Sequence, residues 1–216
     1  MRRSTPLLVA VLGVGFVAGF IAATTLFFGF MGYAREVLHR RAAARQGVPQ
    51  PSVPRVLPEP QLRAPSSSLF FDYQLPLESP EGGRFKLLGL QGKVLVVNIW
   101  ASWCEPCLAE MPELEALASQ FRGDDAVSFL LISKDPKTNL RFFLREHGAP
   151  GIPVASLPQG VEVPGAEGPV PQTLIVRQDG SVVVLEVGAA RWSSKRVAAF
   201  VRDLAKRPAS SMGHVR

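Results

Sequence analysis

Three kinds of pattern succeed one another along the chain. Residues 7–33 carry no charged side chain and are dominated by Leu, Val, Ala, Phe and Gly. Residues 48–65 hold proline at 49, 51, 54, 58, 60 and 65. From about residue 67 onward, apolar and polar positions recur at the periods of strands and helices. A bilayer span needs about 20 apolar residues, so 7–33 is long enough with room for tilt. A signal peptide has a shorter apolar core, about 7–15 residues. Ala22 and Ala23 would suit cleavage, but Leu26, Phe27, Phe28 and Phe30 prolong the run. An uncleaved single-pass anchor is the expectation. A short helix can carry on over 34–45. The proline run cannot be helical and reads as a semi-rigid spacer, extending about 3.1 Å per residue or roughly 50 Å in all. The resulting division is an anchor with its basic flank (1–33), a juxtamembrane and proline-rich segment (34–66) and a globular domain (67–216).

Within the globular part, 69–73 and 84–88 read as short strands around a turn-rich 78–83. The near-continuous apolar run 93–100 reads as a strand buried on both faces. A helix follows over 105–121, with Leu108, Met111, Leu114, Leu117 and Ala118 at helical spacing and Pro112 as a source of a kink. Next come a strand at 127–133, a helix at 137–147 closed by Gly148 and Pro150, and a strand at 152–157. Residues 158–171 contain four Pro and three Gly and read as loop. Strands 173–176 and 182–187 straddle Gln178, Asp179, Gly180 and Ser181 as a hairpin. Ser193 or Ser194 caps a last helix ending near 206, with Val197, Phe200, Val201 and Leu204 on its apolar stripe. This order predicts an α/β fold with a central sheet between layers of helices.

Charge alters this picture little. The net charge is +6. Eight arginines and two glutamates lie in residues 1–66, an excess that equals that of the whole chain and leaves 67–216 neutral. The globular part therefore lacks a nucleic-acid footprint, and acidic lipid head groups are the natural partner of the arginines beside the span. Arg2 and Arg3 precede the span while Arg35, Arg40, Arg41 and Arg45 follow it. That count does not favour an inside amino terminus. Placing the domain outside the cytoplasm rests instead on its thiols.

The chain has two cysteines, Cys104 and Cys107. Their C-x-x-C spacing leaves redox or metal chemistry. A zinc site would need ligands from His39, His147 and His214, which show no ligand spacing, so neither metal nor cofactor is expected. The pair lies where strand gives way to helix. There the helix dipole and free amides favour a thiolate, and Pro106 fits a first turn that needs no N–H from it. Cys104, just before the helix, is the expected attacking thiol, and Cys107, about one turn inside, the resolving one. A static disulfide closing so small a loop would stabilise little.

The string V-V-N-I-W-A-S-W-C-E-P-C resembles the active site of thioredoxin-fold oxidoreductases. The pattern C-x-x-C-x-x-E-x-P, here Cys104, Cys107, Glu110 and Pro112, is similar to the membrane-anchored TlpA/ResA/CcmG-like branch. The resemblance implies a thioredoxin-like fold, a central mixed sheet flanked by helices behind an N-terminal transmembrane helix. It implies a cis peptide bond before Pro171, placing the Val170 backbone where a substrate strand can pair with it. It implies that Glu110 adjusts thiol protonation, against the plainer reading of an exposed helix carboxylate. Asn98 stands where cytosolic thioredoxins carry a buried aspartate; an amide cannot accept that proton, which shifts proton handling to Glu110 or water. Trp103 is expected as an apolar lid over the thiols. The pattern departs from the family at 158–171, where a helix often precedes the cis-proline.

What the resemblance implies in function is reduction of protein disulfides on the outer side of a bacterial inner membrane, in the periplasm. Apocytochrome c before haem attachment is one implied substrate, and a membrane thiol carrier supplies the electrons. Three alternatives stay open: an oxidant of secreted proteins, a metal-delivering assembly factor and a non-catalytic binding module. Copper-delivering factors of this fold use C-x-x-x-C with a nearby histidine, and a peroxidase would carry Thr and Pro before its cysteine.

Overall fold

A seven-residue run such as VLVVNIW is accommodated only by burial on both faces, and β3 (Val94–Trp100) is buried at every position. β4 (Val127–Ser133) lies parallel on one side of it and β6 (Gln172–Val176) antiparallel on the other. With β1 (Leu77–Glu78), β2 (Arg84–Phe85), β5 (Val154–Ser156) and β7 (Val182–Val187), the mixed sheet runs β2-β1-β5-β4-β3-β6-β7. This computed structural model describes residues 56–207. The expected anchor at 1–33 lies outside them, as does most of the juxtamembrane segment. Among the described residues no helix is long and apolar enough to cross a membrane.

Helix α1 (Glu105–Ser119) joins β3 to β4, and α2 (Lys137–His147) joins β4 to β5. Both are parallel crossovers stepping in the same direction across the sheet, so the right-handed rule puts both helices on one face. The final helix α3 (Lys195–Lys206), capped by Ser194 through the Val197 N–H, joins them there. Side chains alternate across β3. Val94, Val96 and Trp100 pack with Leu114 and Leu117 of α1, Leu140 of α2, and Val197 and Val201 of α3. Leu95, Val97 and Ile99 pack on the other face with Phe71, Tyr73, Leu75 and Leu77, and with Val163 and Ala166.

The expected layering between helices therefore holds on one face. On the other, the lead-in to β1 and the 158–171 loop fill the layer, because the prolines and glycines of that loop cannot sustain a helix. Two further expectations shift. Residues 69–73 form no strand, and Phe70 makes only an isolated bridge to Ser181. The hairpin partner of β2 is instead β1, closed by Ser79 N–H to the Gly83 carbonyl at 3.1 Å. The β6–β7 hairpin turns at Gly180, where φ of +87° favours glycine.

The expected spacer also changes character at its end. Residues 58–63 have no regular secondary structure but lie on the domain. Arg191 N–H donates to the Pro58 carbonyl at 2.7 Å and Leu185 N–H of β7 to the Arg63 carbonyl at 3.3 Å. β7 is the outer strand of the sheet, and an edge strand presents unpaired amides that such a segment can cover.

Candidate active site

Cys104 is the N-cap of α1, with extended backbone at φ −93° and ψ 98°. It forms a disulfide with Cys107 (S–S 2.09 Å, Cα–Cα 5.3 Å). Cys104 Sγ accepts a hydrogen bond from Cys107 N–H at 3.2 Å. A helix N-terminus concentrates such free amides, and a donor aimed at sulfur favours its negative charge. Cys104 is 5% exposed and Cys107 1%, so both sulfurs are largely covered.

The loop before Cys104 is pinned by Asp135, just beyond β4. Ser102 N–H and Oγ donate to its two carboxylate oxygens at 2.6 and 3.0 Å, and Ser133 Oγ donates at 2.7 Å. Asp135 is itself buried. The parallel pairing of Trp100 with Ser133 brings the two strand ends level, so one carboxylate can hold both.

Glu110 is fully buried, which overturns the reading of an exposed helix carboxylate. It follows Cys107 by three residues on α1, a spacing that places Cβ atoms about 5–6 Å apart. Its Oε1 accepts from Asn98 Nδ2 at 2.7 Å; its Oε2 accepts from Ala190 N–H at 3.1 Å and Trp192 Nε1 at 3.0 Å. Burial raises its pKa to about 7, against the opposing effect of the three donors, while the negative charge of Glu186 adds to the rise. Asn98 shares the α1 face of β3 with Val96 and Trp100, which explains how a strand residue meets Glu110. Its direct cross-strand neighbour is Thr173, whose Oγ1 also accepts from Asn98 Nδ2 at 2.9 Å. Asn98 Oδ1 is buried without a partner among the described residues. Turning the amide over would present this oxygen to the proton of a neutral Glu110.

The Val170–Pro171 peptide bond is cis. The pairing of Ile99 with Gln172 sets Pro171 level with the end of β3, beside the turn that leads to Cys104. The preceding loop is held by Gln172 Nε2 on the Ala166 carbonyl (3.1 Å), by Lys134 Nζ on the Gly168 carbonyl (3.3 Å) and by a Lys134–Glu162 ion pair (2.7 Å). Trp103 departs from expectation. It is 73% exposed, so it projects from the surface next to Cys104 and is not packed down as a lid. One turn beyond Cys104, Leu108 lines a cleft of about 260 Å³ together with Met111, Phe143 and Pro150.

Sequence reasoning brought Cys104, Cys107, Glu110, Asn98 and Pro171 together, and it missed Asp135, Thr173, Ala190 and Trp192. Thr173 was accessible in principle, since antiparallel pairing of β3 with β6 sets it against Asn98. The others carry no local signal.

The family described as Redoxin matches residues 61–201, well over half of the chain. The chain belongs to the Redoxin family. Among curated relatives, it is 28% identical over 114 residues to the thiol-disulfide oxidoreductase ResA of Halalkalibacterium halodurans, covering 52% of this chain and 64% of that protein. It is 27% identical over 112 residues to ResA of Bacillus subtilis, covering 52% and 63%. The chain thus spans a little under two thirds of the length of these relatives, and its resemblance to the ResA-like branch stands. Two solved structures share the fold. One, assigned as a thiol:disulfide interchange protein DsbE from Chlorobium tepidum, is 22% identical, with a TM-score of 0.54 over 64% of this chain and 99% of that one. The other, assigned as a thiol-disulfide oxidoreductase from Bacteroides vulgatus, is 22% identical, with a TM-score of 0.51 over 67% and 96%.

Proposed function

We propose that this Redoxin-family chain is a thiol–disulfide oxidoreductase working through Cys104 and Cys107, anchored by residues 7–33 in a bacterial inner membrane with its domain on the periplasmic side. The observation that carries the reading is the Cys104–Cys107 pair at the N-terminus of α1, with a buried carboxyl of pKa near 7 one turn further on. In the reduced state, the Cys104 thiolate attacks a sulfur of a substrate disulfide. That S–S bond breaks, a mixed disulfide forms, and one substrate thiolate leaves. Glu110 takes the Cys107 proton, and the Cys107 thiolate attacks Cys104 Sγ, closing the Cys104–Cys107 disulfide and expelling the second substrate sulfur as a thiolate. The substrate leaves with both sulfurs reduced, and the protein is left with the disulfide seen here. A dithiol carrier in the membrane restores the thiols by the reverse exchange.

The Val170 backbone, beside Pro171, offers the edge on which an extended substrate segment pairs, and the exposed Trp103 offers it an apolar contact. We take the working direction to be reduction of protein disulfides, with apocytochrome c as a substrate, by likeness to the ResA-like branch. The test uses the full chain with a peptide disulfide. Cys107→Ser accumulates a mixed disulfide through Cys104, whereas Cys104→Ser accumulates none and loses exchange altogether. Equilibration of Cys104–Cys107 with thiol buffers then gives a reduction potential below that of the substrate, and a potential above it assigns the protein as an oxidant instead.

A further inference from the structure

Glu110 depends on one short stretch, and that stretch is gripped from outside the site. Ala190 and Trp192, its two Oε2 donors, flank Arg191. Arg191 turns the other way: its backbone N–H donates to the Pro58 carbonyl at 2.7 Å and its Nε to Glu59 Oε1 at 3.0 Å, with Nη2 on the same oxygen. The other oxygen of Glu59 accepts from Ser194 Oγ at 2.9 Å. Arg196 Nη1 donates to the Pro60 carbonyl at 3.2 Å. These contacts hold the Glu59 carboxyl below its usual pKa range, with the Arg191 hydrogen bond the leading cause. Further along, Gln61 N–H donates to Glu186 Oε2 at 2.8 Å. Glu186 is the same carboxylate whose charge opposes ionisation of Glu110. A single segment thus grips the stretch that carries the donors favouring the charged Glu110 and also touches the like charge that disfavours it.

We propose that segment 58–63 is a positioning strap for the dithiol site, with Glu59 and Arg191 as its positioning residues. Clamped from outside, the 190–194 stretch keeps the Ala190 and Trp192 N–H groups aimed at Glu110 and so sets how readily Glu110 takes up and releases a proton. The proposal rests on the reading of Glu110 as the proton acceptor of Cys107. A partly exposed ion pair such as Glu59–Arg191 (side chains 34% and 45% exposed) contributes little as attraction alone. Its effect here is geometric. The groups facing Glu110 leave few competing explanations. α1 itself supplies Cys107 and Glu113, and the Glu113 carboxylate is occupied by Ser193 N–H and Oγ. β3 and β6 supply the uncharged Asn98 and Thr173, β7 supplies Glu186, and the 190–194 stretch supplies Trp192 and the Ala190 amide, with its one charge, Arg191, directed at Glu59.

The experiment follows the Glu110 carboxyl by ¹³C NMR of the full, oxidised chain labelled at glutamate, with the resonance assigned by its absence in Glu110→Gln. Glu59→Ala and Arg191→Ala each move the Glu110 midpoint upward by about one pH unit, a tenfold change in proton affinity, because misaligned donors favour the neutral acid. The reversed pair Glu59→Arg with Arg191→Glu brings the midpoint back. The pH profile of disulfide exchange shifts with the NMR midpoint in Glu59→Ala, and Glu59→Ala adds nothing to it in a Glu110→Gln background. An unmoved Glu110 midpoint in folded Glu59→Ala overturns the strap. A moved midpoint with an exchange profile indifferent to Glu110→Gln leaves the strap standing and removes Glu110 from the exchange reaction. Should Glu59→Ala not fold, Glu59→Gln, which keeps its acceptor oxygen, gives the same sign with a smaller shift, and no shift there overturns the proposal.

Discussion

Trp192 and Glu110 are joined by a buried hydrogen bond, indole Nε1 to carboxylate Oε2, at 3.0 Å. Trp192 is also fully buried in the core against the helical face of the sheet. One side chain therefore fills core volume and steadies the charge of the carboxylate one turn from Cys107. A hydrogen bond to an ionised group is worth about 1.5–3 kcal/mol.

Trp192→Phe keeps an aromatic ring and deletes that donor. The Glu110 midpoint, already near 7, should rise by about one to two pH units, as the loss of such a bond from the charged form requires. NMR titration of labelled glutamate reads it directly. A midpoint that stays in place would mean that the Ala190 amide and Asn98 suffice.

Asp135 supports the other side of the site. Asp135→Ala leaves Ser102 N–H, Ser102 Oγ and Ser133 Oγ without their acceptor. Each buried donor left unmet costs about 1–3 kcal/mol, less where water reaches it. Denaturant unfolding of the oxidised protein should show a loss of about 3 kcal/mol, with Asp135→Asn recovering part of it through its remaining carbonyl oxygen. Equal stability of Asp135→Ala and the parent would show that water replaces the carboxylate.

Which of these features the sequence made legible follows from how local their causes are. β3 announced itself because burial on both faces demands an unbroken apolar run, and α1 and α3 because their caps and stripes repeat every turn. The dithiol needed only its own spacing. β1 did not show, since a two-residue strand has no period to read, and β2 keeps only the first two residues of the strand expected at 84–88. Trp192 lies 82 residues from Glu110, and nothing about an indole near the end of a chain names a carboxylate as its partner. The prolines before residue 66 dictate an extended backbone, but not whether a surface lies beneath it. That is why Glu59 read as part of a spacer and proves to be in contact with Arg191 and Ser194. Trp103 failed as a lid for a related reason: an aromatic beside a cysteine has a type fixed by sequence and a direction fixed by packing.

Asn98→Asp tests the amide as the partner that permits ionisation. It replaces a donor 2.7 Å from Glu110 Oε1 with a second carboxyl. Two carboxyl groups at that separation share a proton, so the pair should titrate in two steps, the upper one well above the present value near 7. In the proposed reaction Glu110 would then stay protonated at neutral pH and could not relieve Cys107 of its proton. Exchange at pH 7 should fall and recover as the pH is raised. A rate that falls equally at every pH would point to structural damage instead.

Glu110→Gln separates the cost of burying this carboxylate from its use. The folded-state pKa is raised from an ordinary 4.5 to about 7, so between those values the folded protein holds a proton that the unfolded chain has released. Stability therefore falls as pH climbs through this window and levels off above the folded pKa, the opposite of a salt-bridged acid. Over about 2.5 pH units the fall amounts to roughly 3 kcal/mol. Glutamine mimics the neutral acid, and a turned Asn98 amide can accept from its nitrogen through the now unpartnered Oδ1. The stability of the parent minus that of Glu110→Gln, measured by denaturant unfolding of the oxidised proteins, should drop by about 3 kcal/mol from pH 4.5 to 7.5 and then stay flat. Taking the difference cancels every other titrating group. Parallel curves across that range would show that Glu110 is ionised in the fold at acidic pH and is not the group that takes the Cys107 proton near neutrality.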